Sequence, residues 1–115
     1  MDGYGEFYWG NEGKKYFGFY KDDLKQGFGV YVWNFDPIEA YMGFWEKGKM
    51  AGLGVRVKGS KLKYGFWKGG KIEMWLQGAW ELRKNTKGTQ LKYLKIMEGN
   101  KNKIISYIQE HLILE

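Results

Sequence analysis

The sequence predicts a mostly β protein: an elongated antiparallel β-hairpin meander followed by a C-terminal α-helical segment. The first observation is an internal repeat, because YFGFYKDDLKQGFGVYVW at residues 16–33 returns without a gap as YMGFWEKGKMAGLGVRVK at residues 41–58. The second is the composition: the chain has 18 glycines and is 19% aromatic, and glycines recur beside aromatic residues at the repeat positions. Such a repeat indicates similar supersecondary units stacked side by side.

Each copy of the repeat predicts two short strands and a turn, because β-branched and aromatic residues favour strands and successive side chains point to opposite faces. In the first strand of the first copy, Tyr16, Gly18 and Tyr20 share a face, and in its second strand Gly27, Gly29, Tyr31 and Trp33 share a face. The opposite face of its second strand collects Phe28, Val30 and Val32. A strand glycine lets a large ring of the neighbouring strand lie over the backbone. The recurring glycines are therefore expected to be structural: Gly18, Gly27, Gly29, Gly43, Gly52, Gly54 and Gly65.

Polar stretches between the predicted strands indicate the turns. Residues 21–26 and 46–51 are predicted hairpin turns, the second with Gly48 in a left-handed conformation. Residues 34–40 and residues 59–63 are predicted linkers between units. Successive hairpins would then add edge to edge as one meander.

Beyond the repeats the pattern changes. Residues 77–83 complete the last hairpin or fill the end of the array, residues 85–88 form a turn, and residues 91–98 fit a helix or a strand. Asn102 is the predicted N-cap of a helix over residues 103–114. The apolar stripe of this helix, at helical spacing, consists of Ile104, Ile105, Ile108 and Leu112.

The predicted C-terminal helix has three interpretations. It caps the open end or open face of the sheet, it recognises another chain, or it lies in an aromatic groove in place of a partner helix. Capping is favoured, because a thin sheet needs cover and isolated short helices are marginal.

Composition bounds the function classes. The chain carries a net charge of +6 without a dense basic block, which favours acidic partners or anionic surfaces only mildly. It has no cysteine, so it has neither a disulfide framework nor a thiolate metal site, and this fits a cytoplasmic location. No apolar run has the length of a membrane span.

The motifs that could carry chemistry are weak. Gly27 and Gly29 resemble the front of a kinase glycine-rich loop, but the third glycine is missing and the element repeats. His111 is the single histidine and is expected at the surface or at an edge. We therefore predict no catalytic, cofactor-binding or metal-binding residue and no enzymatic activity. Aromatic residues interleaved with lysine could stack on nucleic-acid bases, but the repeat spacing favours packing, so nucleic acid is not an expected partner.

The repeat motif is tyrosine, any residue, glycine, any residue and an aromatic, followed after six residues by two glycines one apart. It resembles the MORN (membrane occupation and recognition nexus) repeat family. The matching residues are Tyr16, Gly18, Tyr20, Gly27, Gly29, Tyr41, Gly43, Trp45, Gly52 and Gly54. A third copy departs from the motif, because Lys63 replaces its tyrosine and the two glycines are lost to Met74 and Leu76.

The resemblance divides the chain into a repeat array over residues 1–76 and a C-terminal extension over residues 77–115. Within the array we assign a partial unit at 3–15, full units at 16–40 and 41–63, and a degenerate unit at 64–76. The family implies a single-layer twisted β-meander with an aromatic-lined groove, used as a scaffold, as a dimerising array or as a groove for partner helices.

We therefore expect a protein-interaction module whose groove binds an apolar helix or another array, a homodimer included. The expected groove residues are Tyr16, Tyr20, Tyr31, Trp33, Tyr41, Trp45 and Trp67. One alternative is peripheral attachment to a membrane through phosphoinositides, with anionic-lipid contacts at Lys61, Lys63, Lys68 and Lys71. Another is a regulatory fragment of a larger multidomain enzyme. The expected location is cytoplasmic, with cytoskeletal or membrane association as further alternatives.

Overall fold

A single antiparallel sheet of seven strands forms most of the molecule. The structure is a computed structural model and describes residues 3–9 and 13–112. The strands are β1 (Gly3–Trp9), β2 (Lys14–Lys21), β3 (Leu24–Phe35), β4 (Ile38–Glu46), β5 (Lys49–Lys58), β6 (Lys61–Lys68) and β7 (Lys71–Trp75). Each strand pairs with the next, in the order of the chain. The predicted hairpin meander is confirmed.

A row of glycines crosses six strands of this sheet. Successive register partners along the row are Gly5, Gly18, Gly29, Gly43, Gly54 and Gly65, and Trp75 of β7 ends it. Because each of these six strands has a residue without a side chain in this row, a shallow channel crosses the sheet. The channel is filled by rings from the flanking positions, as described below.

The two faces of the sheet have different compositions. The Phe/Val face is the side whose buried residues are Phe17, Phe28, Val30, Val32, Ile38, Ala40, Met42, Phe44, Leu53, Val55 and Val57. The Tyr/Trp face is the opposite side, with buried Tyr16, Tyr41, Trp45 and Trp67 and the partly buried Tyr20, Tyr31, Trp33 and Met50. The alternation expected from the sequence therefore holds in the structure.

Tight turns join the strands. Asp22 and Asp23 have positive φ angles of 53° and 66°, and Lys47 and Gly48 have 51° and 85°, as two-residue hairpin turns of the I′ type require. The Gly48 N–H donates to the carbonyl of Lys25 at 2.9 Å, which ties one hairpin to the preceding one. The predicted linkers are shorter than expected, because β4 already begins at Ile38 and β6 at Lys61.

Residues after the sheet are helical. They form α1 (Ala79–Asn85), a 3-10 helix (Gly88–Tyr93), α2 (Leu94–Met97) and α3 (Lys101–Leu112). The expectation that residues 77–83 complete a hairpin is wrong, since most of them lie in α1. Residues 91–98, ambiguous in sequence, are mainly helical.

The start of α3 differs from the prediction. The Lys103 N–H donates to Oδ1 of Asn100 at 2.9 Å, so Asn100 is the N-cap and Asn102 lies inside the first turn. Residues 113–114 of the predicted helix, and the side chain of Leu112, lie outside the part of the chain that the structure describes.

The helices cover the Phe/Val face. Their buried side chains belong to the same apolar cluster as that face: Leu82, Leu94, Met97, Ile104 and Ile108. The ring of Tyr93 stacks on Phe28, with centroids 4.4 Å apart. With the helices packed on the sheet, the molecule measures 37 × 33 × 24 Å and is thus less elongated than the sheet alone suggests.

Lys15 and His111 anchor α3 to the start of the sheet. Lys15 is 1% exposed, donates a hydrogen bond to the carbonyl of His111, and forms an ion pair with Glu6 of β1 at 3.3 Å. The His111 ring lies parallel to Phe17 at 4.1 Å. His111 is therefore half-buried in packing contacts near the end of α3.

Candidate protein-binding face

The seven predicted groove residues all lie on the Tyr/Trp face, but at two depths. Tyr16 and Tyr41 are fully buried, and Trp45 and Trp67 are 8% and 5% exposed. These four rings form the floor of the face. Tyr20, Tyr31 and Trp33 are only partly buried, so they form its outer layer.

The floor rings lie directly on the glycine row. A Cβ atom on Gly43 would lie 2.7 Å from the hydroxyl oxygen of Tyr41, and one on Gly65 would lie 3.0 Å from the Trp67 ring. The Tyr16 hydroxyl donates to the carbonyl of Phe19, and the Tyr41 hydroxyl donates to that of Phe44, both at 3.0 Å. The repeat therefore reproduces one ring position and one hydrogen bond per unit.

The floor rings also contact one another from strand to strand. Tyr16 meets Trp45 edge to face at 5.6 Å, Trp45 meets Tyr41 at 5.3 Å, and Tyr41 meets Trp67 at 4.8 Å. The series continues from Tyr16 to Tyr20 and from Trp67 to Trp75. Trp45 Nε1 donates to the carbonyl of Gly29 at 3.1 Å, which satisfies its buried N–H. Edge-to-face pairs add about 0.5–1.5 kcal/mol each beyond burial, so this network stiffens the sheet.

The outer layer presents rings that are held in place. Trp33 Nε1 donates to Oε1 of Glu39 at 3.1 Å. The ring centroid of Tyr31 lies 6.2 Å from those of both Trp33 and Trp45. Rigid aromatic side chains lose little conformational entropy when a partner binds. This layer can therefore offer apolar contact area at low entropic cost.

Cations accompany the rings, and sequence reasoning missed some of them. Lys25 Nζ lies 5.2–5.7 Å from the ring centroids of Tyr16, Tyr31 and Trp45. Desolvation by burial lowers the pKa of this ammonium group. Arg56 Cζ lies 4.5 Å from the centroid of Trp33.

A second group of cations lines a concave site of about 400 Å³ at one side of the face. Its lining residues are Arg56, Lys58, Lys61, Lys63 and Trp75. Of the four lysines predicted to contact lipid, Lys61 and Lys63 are thus brought together, whereas Lys68 and Lys71 pair at the opposite end of β6. Arg56 and Lys58 were not predicted, because only the strand register reveals that they face Lys63 and Lys61.

Burial also affects the tyrosines. Desolvation, followed by the neighbouring Tyr31, raises the pKa of Tyr20 to about 12. Desolvation also raises the pKa values of Tyr16 and Tyr41 well above the ordinary tyrosine value. All three phenols therefore stay neutral at physiological pH, and those of Tyr16 and Tyr41 donate hydrogen bonds.

The arrangement offers contact surface. Among residues 3–9 and 13–112, no group of three or more His, Asp or Glu side chains is placed to hold a metal ion. Within the same residues, the helices are too short or too polar to span a bilayer.

The comparisons agree with the motif. The family model described as MORN repeat matches residues 1–14, 16–34 and 41–61. A comparison with curated proteins gave no match. MORN repeats are non-catalytic modules that generally mediate interactions with proteins or membranes. The recurring tyrosine-on-glycine units and this match together place the chain in the MORN repeat family.

Proposed function

We propose that this protein is a non-enzymatic interaction module whose Tyr/Trp face binds an apolar helix of a partner protein. One observation carries the proposal. The chain's own helices cover the Phe/Val face, whereas no helical residue in the described part of the chain belongs to the Tyr/Trp cluster. One apolar side of the sheet thus has internal cover, and the other carries ordered, half-exposed rings.

The outer layer suits the side chains that dominate protein interfaces. Tyrosine and tryptophan are enriched among the residues that contribute most to binding free energy. Tyr20, Tyr31 and Trp33 supply such rings, and Met50 beside them is adaptable in shape. An amphipathic helix that places apolar residues three and four apart against these rings would bury them.

The partner helix is preferred over a second copy for one reason. The Phe/Val face of this same sheet already accepts an amphipathic helix, with Ile104 and Ile108 one turn apart against the strands. A sheet of this width therefore accommodates a helix. Self-association through the Tyr/Trp face is the competing outcome, and sedimentation velocity of the protein alone detects it.

A displayed library of amphipathic helical peptides tests the proposal. Helices selected against the wild-type protein are titrated against Trp33→Ala and against Trp80→Ala, which removes a tryptophan that is 58% exposed on α1. We expect Trp33→Ala to weaken binding by about 2 kcal/mol, roughly 30-fold, as a central aromatic contact does, and Trp80→Ala to leave it unchanged. Equal affinities for Trp33→Ala and wild type would refute the proposal.

Trp45→Ala is unsuitable for this test. From the sequence, Trp45→Ala is expected to weaken partner binding more than any single lysine substitution. In the structure the Trp45 ring is buried and hydrogen-bonded to Gly29, so its removal would perturb folding and binding together.

Peripheral membrane attachment is the second candidate function. The observation in its favour is the clustering of Lys61 and Lys63 with Arg56 and Lys58 in one concave site. Flotation with anionic and neutral liposomes tests it, and equal recovery with both would argue against it.

A further inference from the structure

We propose that Arg56, Lys58, Lys61 and Lys63, together with Trp75, form a docking site for an acidic segment of a protein partner, one that presents two carboxylates. The inference rests on the proposed function, because it names the chemistry of the partner and the end of the Tyr/Trp face at which its acidic residues lie. The site itself is the concave surface of about 400 Å³ that these five residues line.

Strand register places the four cations as two opposed pairs. Arg56 of β5 is directly opposite Lys63 of β6, and Lys58 is directly opposite Lys61. Like charges directly opposite in a sheet are destabilising. A chain that retains two such pairs side by side loses folding stability there, and an anion bound between them would restore it.

The neighbouring carboxylates neutralise only part of this charge. The ion pairs Lys15 with Glu6 and Arg83 with Glu98 both lie away from the site. Glu39 is the register partner of Lys58, and its Oε1 accepts the Trp33 indole N–H, so one carboxylate faces four cations. The buried Nε of Arg56 has no hydrogen-bond partner. The site therefore has an unused donor and an excess of positive charge.

The spacing of the pairs favours two carboxylates over a single phosphoryl group. Positions two residues apart on a strand are separated by about 6.6 Å. Residues four apart on a helix have a similar separation, about 6 Å between their Cβ atoms. A partner helix with Glu at positions i and i+4 could thus place one carboxylate at each pair. One phosphoryl group could reach only one pair closely.

A protein segment fits the site better than a membrane surface does. The cations line a concavity, and the Arg56 side chain is half-buried in it. A flat lipid surface does not reach a side chain in that position. Trp75 is 45% exposed beside them and lies 4.7 Å from Lys63 Nζ, so it offers an apolar contact next to the charges. An acidic helix with apolar residues next to its glutamates matches this combination.

The site is continuous with the Tyr/Trp face. Arg56 packs over Trp33, the outermost of the predicted groove rings on β3. A helix that lies on Tyr31 and Trp33 would therefore meet Arg56 at one end. The cationic site would fix the direction in which the partner helix lies, through its acidic end.

The experiment uses a short helical peptide that carries Glu at i and i+4 in a frame without aromatic residues, and its Gln counterpart. Isothermal titration calorimetry measures the binding of each peptide to the full chain. We expect the Glu peptide to bind at least about tenfold more tightly than the Gln peptide, with an affinity that falls as salt rises. Lys63→Gln is expected to abolish this preference, and Lys68→Gln, at the other end of β6, to preserve it.

Two controls separate this inference from the proposed function. Tyr20→Ala, at the distant end of the Tyr/Trp face, should leave the Glu preference intact even if it weakens the selected apolar helices. Lys63→Gln should keep or raise the melting temperature, because it removes one like-charge pair. The proposal is overturned if the Glu and Gln peptides bind equally, if Lys68→Gln acts like Lys63→Gln, or if anionic vesicles but not the peptide bind in a Lys63-dependent way.

Discussion

A Cβ atom on Gly54 would lie 2.5 Å from both Cε1 and the hydroxyl oxygen of Tyr41. The Tyr41 ring occupies the space that a side chain at Gly54 would fill. We therefore expect Gly54→Ala to reduce the free energy of unfolding by at least about 2 kcal/mol, because overpacking a rigid site displaces the ring. Urea unfolding of the variant measures this loss.

A double-mutant cycle identifies the cause of that loss. If the ring is responsible, Gly54→Ala should cost much less in a Tyr41→Leu background, since leucine leaves more space over the glycine. The coupling free energy should then be clearly different from zero. Additive effects would show that the contact with Tyr41 is not what makes Gly54 necessary.

Alkaline pH should destabilise the fold. Burial raises the pKa of Tyr20 to about 12, and those of Tyr16 and Tyr41 still further. A raised folded-state pKa means that the unfolded chain loses these protons first. The stabilisation is complete below the ordinary tyrosine pKa of about 10 and declines as the pH rises from there to about 12 and beyond.

Thermal unfolding across that alkaline range measures the decline. We expect the melting temperature to fall less steeply with pH in the double variant Tyr16→Phe/Tyr41→Phe, because two of the buried phenols are absent. Each of the two substitutions also removes a hydrogen bond to a main-chain carbonyl, worth about 1 kcal/mol. The comparison therefore concerns the slope of melting temperature against pH and not the absolute stability. An unchanged slope would contradict the prediction.

The repeat determined much of what could be predicted. Period-two alternation correctly separated Tyr16 and Tyr31 from Phe28 and Val30, because successive side chains of a strand point to opposite faces. The expectation that rings lie over strand glycines also holds, as Tyr16 over Gly29 shows. These features depend on residues within one unit and its neighbour, which a repeat displays directly.

Long-range features could not be predicted in the same way. Both faces of the sheet are apolar, so periodicity does not reveal which one the helices cover. The stacking of His111 on Phe17 joins the last helix to the second strand. The pairing of Arg56 with Lys63 depends on a register that the turn at residues 59–60 sets. Each of these contacts requires the folded topology.

The helix cap offers a local test. Asn100 Oδ1 accepts the Lys103 N–H, so Asn100→Ala should reduce stability by about 1 kcal/mol. Asn102 is exposed within the first turn of α3 and is the matched control. Asn102→Ala should be neutral or slightly stabilising, since alanine has the higher helix propensity. If urea unfolding shows a larger loss of stability for Asn102→Ala than for Asn100→Ala, Asn102 is the N-cap, as the sequence predicts.

The position of α3 determines how its loss should affect binding. Ile108 is fully buried against the Phe/Val face, so Ile108→Ala should cost about 2–5 kcal/mol, whereas exposed Gln109→Ala should change stability by less than about 0.5 kcal/mol. Because α3 lies on the opposite side of the sheet from Trp33, loosening it would uncover Phe17 without exposing the Tyr/Trp face. Selected helical peptides should therefore bind folded Ile108→Ala with wild-type affinity, under conditions where circular dichroism shows the sheet intact. Tighter binding would mean that α3 competes with the partner for the rings, as an autoinhibitory helix would, and would contradict the separation of the two faces.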